Sequence, residues 1–257
     1  KDINMILTNK KRIEDFIKKG WWGEDTLHSL FQEALSACGD QEALVDPENR
    51  SVITGDDPKR LSFKEINGLV ESYATTFYEQ GLRKDDIAII QLPNVVELPI
   101  VYLALSKLGI ICSPIPMQYG AYEITNIIHE TNPKAFISIA TFSGTDHAKQ
   151  FSSVFNNSEL KFSLGEVDGF IDLNTSKSEI EIMEAQQLYA KDNPITADDI
   201  FTICWTSGTT GTPKGVPRSH NLWLPMAKAA AFVSETEEGD TLLNPFPMIN
   251  MASIGGF

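Results

Sequence analysis

Residues 86–92 read Asp-Ile-Ala-Ile-Ile-Gln-Leu, residues 110–115 Ile-Ile-Cys-Ser-Pro-Ile, and residues 134–139 Lys-Ala-Phe-Ile-Ser-Ile. Each run is short and apolar without strict alternation, the pattern of a strand covered on both faces. Residues 95–108 between the first two runs have helical character, and Gly109 ends them. Residues 122–130 form a helix before the third run. This β-α-β-α-β order predicts right-handed crossovers and a mostly parallel sheet with helices on its faces. The expected class is therefore α/β, with layered, mostly parallel sheets flanked by helices.

Upstream, residues 1–25 read as a charged lead-in. Its Trp21 and Trp22 are suited to staple it to the domain. Leu27, Leu30, Phe31, Ala34 and Leu35 recur at helical spacing. Ser62 and Glu65 make a capping-box pattern before a second helix, whose apolar face carries Ile66, Leu69, Tyr73 and Phe77 and which stops at Gly81. Downstream, a helix is expected around residues 147–155. Residues 155–193 are weakly patterned, with a strand, loops and a short helix at 180–188. Residues 200–205 read as another fully buried strand, 219–233 as a helix and 241–246 as a last strand. The expected organisation is a lead-in at 1–25, a first α/β subdomain at 26–195 and the start of a second at 196–257.

The chain has 257 residues, 42% hydrophobic and 22% charged. That is ordinary globular usage and excludes a disordered, collagen-like or disulfide-scaffold chain. The formal net charge of −14 argues against nucleic acid as a partner, because nothing offsets phosphate repulsion over a wide surface. A small anion held by one locally positive loop stays allowed. Cys38, Cys112 and Cys204 are far apart and form no zinc-type cluster. Reduced, structural thiols and a cytoplasmic location are expected. No signal peptide is evident. The most apolar stretch, residues 98–116, is broken by Pro99, Lys107, Pro114 and Pro116, so no transmembrane segment is expected.

Chemistry concentrates in residues 203–216. A buried strand there feeds a loop of hydroxyls and glycines with one lysine. Gly208 and Gly211 let backbone N–H groups approach an anion closely. Thr206, Ser207, Thr209 and Thr210 add hydroxyl donors, and Lys214 adds a full positive charge. The set suits nucleotide phosphates. It is not a Walker A loop: Pro213 replaces the second glycine and has no N–H, and Gly215 replaces the magnesium-binding hydroxyl. No metal-ligand, hydrolase or dinucleotide motif is present. His28 and His129 read as packing or surface residues, and His147 as a helix cap or decoration. Glu235, Glu237, Glu238 and Asp240 read as a solvated helix end.

The segment Thr206-Ser207-Gly208-Thr209-Thr210-Gly211-Thr212-Pro213-Lys214-Gly215 resembles the phosphate loop of the adenylate-forming enzymes. These are acyl- and aryl-CoA synthetases, nonribosomal peptide synthetase adenylation domains and luciferase. His220-Asn221 is similar to the family, as are residues 102–109 followed by Pro114-Ile115-Pro116, Glu123-Ile124, and residues 63–66. The resemblance runs from about Trp22 to Phe257, covering the N-terminal part of the family's large domain.

The resemblance implies ATP and Mg2+ as cofactors. A carboxylate attacks the α-phosphate, giving an acyl-adenylate and pyrophosphate, and a CoA or phosphopantetheine thiol then takes the acyl group. Thr206, Ser207, Gly208, Thr209, Thr210, Gly211 and Lys214 would hold the phosphates, with Lys214 and Thr206 as the catalytic pair. Asn250 falls where many relatives carry His, and Asn250 and Met251 are the expected substrate-binding residues. An Asn hydrogen-bonds a carboxylate but does not titrate. The family's acidic magnesium residue belongs to later motifs, so no metal ligand is expected within residues 1–257. The expected partners are a small-molecule carboxylate and, for thiol transfer, a carrier protein. The leading expectation is an acyl-CoA-synthetase-type ligase whose N-terminal piece, taken alone, is inactive. The alternatives are an amino-acid-activating adenylation domain and a non-catalytic relative acting as a binding protein.

Overall fold

A computed structural model describes residues 6–155, 159–192, 194–206, 213–249 and 251–254. In chain order the elements are α1 (Lys10–Lys18), α2 (Leu27–Cys38), β1 (Glu42–Val45), α3 (Arg50–Thr54), β2 (Arg60–Ser62), α4 (Phe63–Glu79) and β3 (Ile87–Ile90). Then come α5 (Glu97–Leu108), β4 (Ile111–Pro114), α6 (Ala121–Thr131), β5 (Ala135–Ile139), β6 (Thr141–Phe142), β7 (Thr145–Asp146) and a 3-10 turn (Ala148–Phe151). The chain continues with β8 (Leu160–Leu164), β9 (Ile171–Asp172), α7 (Glu179–Asp192), β10 (Ile200–Thr206), β11 (Lys214–Ser219), α8 (His220–Val233) and α9 (Met251–Ile254).

Seven strands form the main sheet in the order β11-β10-β4-β3-β5-β8-β9. All neighbours are parallel except β10 and β11. The α/β class with a mostly parallel, helix-flanked sheet is thus as the sequence predicts. Winding runs from β3 to β4 on one side, then crosses to β5 and β8 on the other. The crevice at the carboxyl ends of β3 and β5 is therefore a topological switch point, where open α/β sheets bind ligands.

β3 and β5 feed two cores by alternation. Ala88 and Ile90 join the larger core with Tyr73, Phe77 and Tyr102 of α4 and α5. Ile89 joins the opposite core with Ile124 and Ile127 of α6 and Phe151 and Phe155. β5 repeats this, with Ala135, Ile137 and Ile139 on the first face and Phe136 on the second. The Ser62–Glu65 capping box forms: the Glu65 carboxylate accepts from Ser62 N–H, and Ser62 Oγ accepts from Glu65 N–H. Gly109 ends α5 at φ +68°, where a side chain would also crowd Lys84 and Ile195.

Several expectations are corrected. Residues 241–246 form no strand: Leu242, Leu243 and Phe246 lie exposed, and no described strand edge pairs with them. A strand needs a ladder partner whatever its apolar content. The expected helix at 147–155 is only the four-residue 3-10 turn, and α7 is longer than the predicted 180–188. β11, α1 and the small β1–β2 sheet were not anticipated. Trp21 and Trp22 close on Phe16 of the lead-in itself, at ring distances of 5.4 and 5.0 Å. His147 makes no capping bond; it is buried between Gln91 Oε1 at 3.2 Å and Gln150 Nε2 at 3.1 Å.

A buried ionic network fixes the start of α5. Arg50 reaches Asp46 Oδ2 at 2.6 Å and both Glu97 oxygens at 2.8 and 2.9 Å, and Lys59 Nζ adds a 2.6 Å contact to Glu97. Asp46 also accepts from the N–H groups of Val96 and Lys59. Burial pushes the Glu97 carboxyl up, but the hydrogen bonds and charges of Arg50 and Lys59 outweigh it and hold it below its ordinary 4.5. Removing one partner of such a network leaves buried charge uncompensated. Arg50→Met is expected to cost about 3–5 kcal/mol in urea unfolding at pH 7. Because the folded-state value is depressed, the native network loses its contribution as pH falls below 4.5, so the gap to wild type narrows there. A gap that stays constant with pH would contradict this.

Candidate phosphate-binding hairpin

β10 and β11 form an antiparallel hairpin with Cys204 opposite Val216, Trp205 opposite Gly215 and Thr206 opposite Lys214. Opposed Cα atoms in such a pair are about 4.5–5.5 Å apart, so the two ends of the intervening loop are pinned together. Ser207, Gly208, Thr209, Thr210, Gly211 and Thr212 lie outside the described residues, as does Asn250. Thr206 and Lys214 are both described, and both are exposed. Thr206 Oγ1 donates to Lys214 O at 3.4 Å. Among the described residues Lys214 has no acidic partner.

The hairpin base is rigid. Trp205 Nε1 donates to Ser113 Oγ of β4 at 2.9 Å, and the indole packs against the α6-side core. A Cβ on Gly215 would lie 2.8 Å from Ile203 Cγ2 and 3.2 Å from the Trp205 ring. Gly215 is thus the residue that lets β11 approach these side chains. Thr202, Cys204 and Thr206 alternate to the other face. There Trp223 Nε1 donates to Thr202 Oγ1 at 2.8 Å, and Cys204 joins the α5-side core.

Register places the hairpin end on the sheet's ligand-binding rim. Thr202 pairs with Cys112, and Cys112 with Ala88, in one row. Thr206 and Leu92 each lie four residues beyond that row. Counted along the chain they reach a similar height, on strands two spacings or roughly 10 Å apart. At Leu92 a cleft of about 180 Å³ opens, lined by Pro93, Met117, Phe142, Pro247 and Ile249 among others. Residues 245–249 form one wall and lead to α9, which Met251 begins.

His220 and Asn221 are brought to a different task. The Leu27 N–H donates to His220 Nδ1 at 3.2 Å, and the ring stacks on Phe201 at 5.1 Å. Asn221 Oδ1 accepts from Gly23 N–H, and its Nδ2 donates to Gly23 O and Asp198 Oδ1. Together they latch the lead-in to α8. Burial lowers the His220 pKa to about 4, against a smaller opposing pull from Asp199. The cysteines are free; burial pushes the Cys112 and Cys204 thiols up, as suits inert structural groups. Among the described residues no His, Cys, Asp and Glu cluster could hold a metal ion, and no helix is long and apolar enough to cross a membrane.

Comparison with known proteins agrees with this geometry. The AMP-binding enzyme family matches residues 31–257, so the chain belongs to that family of adenylate-forming enzymes. It is 28% identical over 210 residues to enterobactin synthase component E of Escherichia coli (strain K12), covering 79% of this chain and 35% of that protein. It is 23% identical over 257 residues to the medium-chain fatty-acid–CoA ligase of the same organism, covering 96% and 43%. The apo structure of Mycobacterium smegmatis MbtA superposes with a TM-score of 0.76 at 19% identity, over 95% of this chain and 43% of that one. The chain thus spans well under half the length of these relatives.

Sequence reasoning missed Ser113 and Asn94. Ser113 gave no local signal, since its partner Trp205 is 92 residues away. Two outcomes follow. Gly215→Ala is expected to destabilise by about 1–3 kcal/mol through overpacking, read by urea unfolding. Gly68→Ala, with nothing near its Cβ in helical α4, should instead gain about 0.5–1 kcal/mol. Equal effects would refute the close approach. For His220 the folded pKa lies below the unfolded 6.5, so its contribution is full above 6.5 and falls away as pH drops toward 4. The stability gap between wild type and His220→Gln should narrow from pH 7 to pH 5, and a pH-independent gap would refute burial of the neutral ring.

Proposed function

We propose that the protein carrying this chain is an ATP-dependent carboxylate-activating ligase of acyl-CoA-synthetase type. The observation that carries this is the exposed Lys214, without an acidic partner among the described residues, set opposite Thr206 at the end of a buried strand. In a chain of net charge −14, such a cation is fitted to a polyanion. Lys214 and the Thr206 hydroxyl would hold the β- and γ-phosphates of ATP. There they would stabilise the charge that collects on departing pyrophosphate. Ser207, Gly208, Thr209, Thr210 and Gly211 would complete the grip. Mg2+ bound with ATP would supply further positive charge against the triphosphate.

The cleft at Leu92 would take the body of the acid, with Asn250 and Met251 near its carboxylate. Asn250 would orient that group by hydrogen bonding without exchanging a proton. The acceptor thiol is CoA in this reading. Relatives named as synthases, tyrocidine synthase 1 among them, make a carrier-bound phosphopantetheine the competing acceptor.

Carboxylate-dependent ATP–pyrophosphate exchange in the full reading frame that carries this chain tests the reading. Lys214→Ala should slow exchange at least about 100-fold, the scale of losing one oxyanion-type donor. Exchange untouched by Lys214→Ala, or absent with every acid tried, would refute it. Adding CoA or a phosphopantetheine carrier then identifies the acceptor.

A further inference from the structure

Asn94 spans the mouth of the cleft with both ends of its amide used. Its Nδ2 donates to Phe246 O at 2.7 Å, and its Oδ1 accepts from Met248 N–H at 2.9 Å. It lies four residues past the end of β3, while its partners lie more than 150 residues later on the opposite wall. Tyr102 of α5 adds a third tether, its hydroxyl donating to Met248 O. The strap of residues 244–249 is also tied to Ser253 of α9. Asn244 Nδ2 donates to Ser253 O, and Ser253 Oγ reaches Asn244 Oδ1 and Phe246 O. Asn94 thus docks a strap that also carries hydrogen bonds of its own.

From this geometry we propose that Asn94 is a positioning residue for the acid: it sets the width of the cleft by holding the strap against the end of β3. The inference rests on the proposed ligase reading. Leu92, Pro93, Met117 and Phe142 belong to the rim, and Pro245, Pro247 and Ile249 to the strap. Asn94 bridges the two directly, alongside the Tyr102 hydroxyl and the packing of Met248 and Ile254 into the larger core. The phosphate hairpin is held by other bonds, Trp205 to Ser113 and the β10–β11 ladder. Loss of Asn94 should consequently weaken acid binding and leave ATP binding alone.

The experiment is pyrophosphate exchange by the full-length protein, with octanoate, benzoate and phenylalanine as probe acids. For an acid that wild type activates, Asn94→Ala should raise the KM of that acid about tenfold, the scale of one or two lost hydrogen bonds. The KM for ATP and the kcat should stay within about threefold of wild type. Asn94→Asp, which keeps the acceptor and loses the donor, should fall between. If Asn94→Ala does not fold, Tyr102→Phe removes only the hydroxyl tether and should show the same acid-selective rise. An unchanged acid KM overturns the inference, as does an equal rise for acid and ATP, which marks a merely structural role. Failure of wild type with all three acids, in contrast, counts against the ligase reading itself.

Discussion

The seating of the Trp205 indole over Gly215 is the contact on which the hairpin depends. Antiparallel opposition puts the two residues face to face, and the bare Cα of Gly215 lets β11 close to within van der Waals distance of Ile203 and Trp205. The bond from Trp205 to Ser113 anchors that pair to β4. One residue further on, the same register sets Thr206 opposite Lys214. An exposed lysine thus stands on a packed and hydrogen-bonded base, which limits the backbone ordering entropy left to be lost there when an anion binds.

The parallel sheet supplies the second half of the arrangement. Strands that share direction and register present their carboxyl ends along one rim. The hairpin end after β10 and the cleft after β3 and β5 are therefore neighbours. By pleat parity, Thr202, Cys204, Ala88 and Ile90 all point toward the α5 side. Two candidate sites at neighbouring strand ends would suit the proposed joining of an acid to a nucleotide. The Arg50–Glu97–Asp46 network contributes from a distance by fixing the start of α5, from which Tyr102 reaches the strap.

Much of this was legible from residue order. Ile89 flanked by Ala88 and Ile90 demands burial on both faces, and Gly109 after Leu108 demands a helix end. Lys214 in its run of threonines and glycines is readable as a candidate anion site. Other parts left no local trace. β11 reads Lys-Gly-Val-Pro-Arg-Ser, without apolar alternation and with Pro217, which only an edge strand tolerates. Residues 241–246 mislead in the other direction: their apolar content suggests a strand, but pairing is a property of neighbours. Arg50 and Asn94 look like ordinary loop residues, because Glu97 and the strap carbonyl they bind lie 47 and more than 150 residues away.

The central claim is that the open end of the hairpin grips a triphosphate tail. A crystal structure of the full-length protein with ATP and a non-reacting acid analogue tests it most directly. The account predicts β- and γ-phosphate oxygens within hydrogen-bond reach of Lys214 Nζ and Thr206 Oγ1, with the acid analogue in the cleft beside Leu92. A triphosphate bound elsewhere on the sheet, with Lys214 left in solvent, would contradict it.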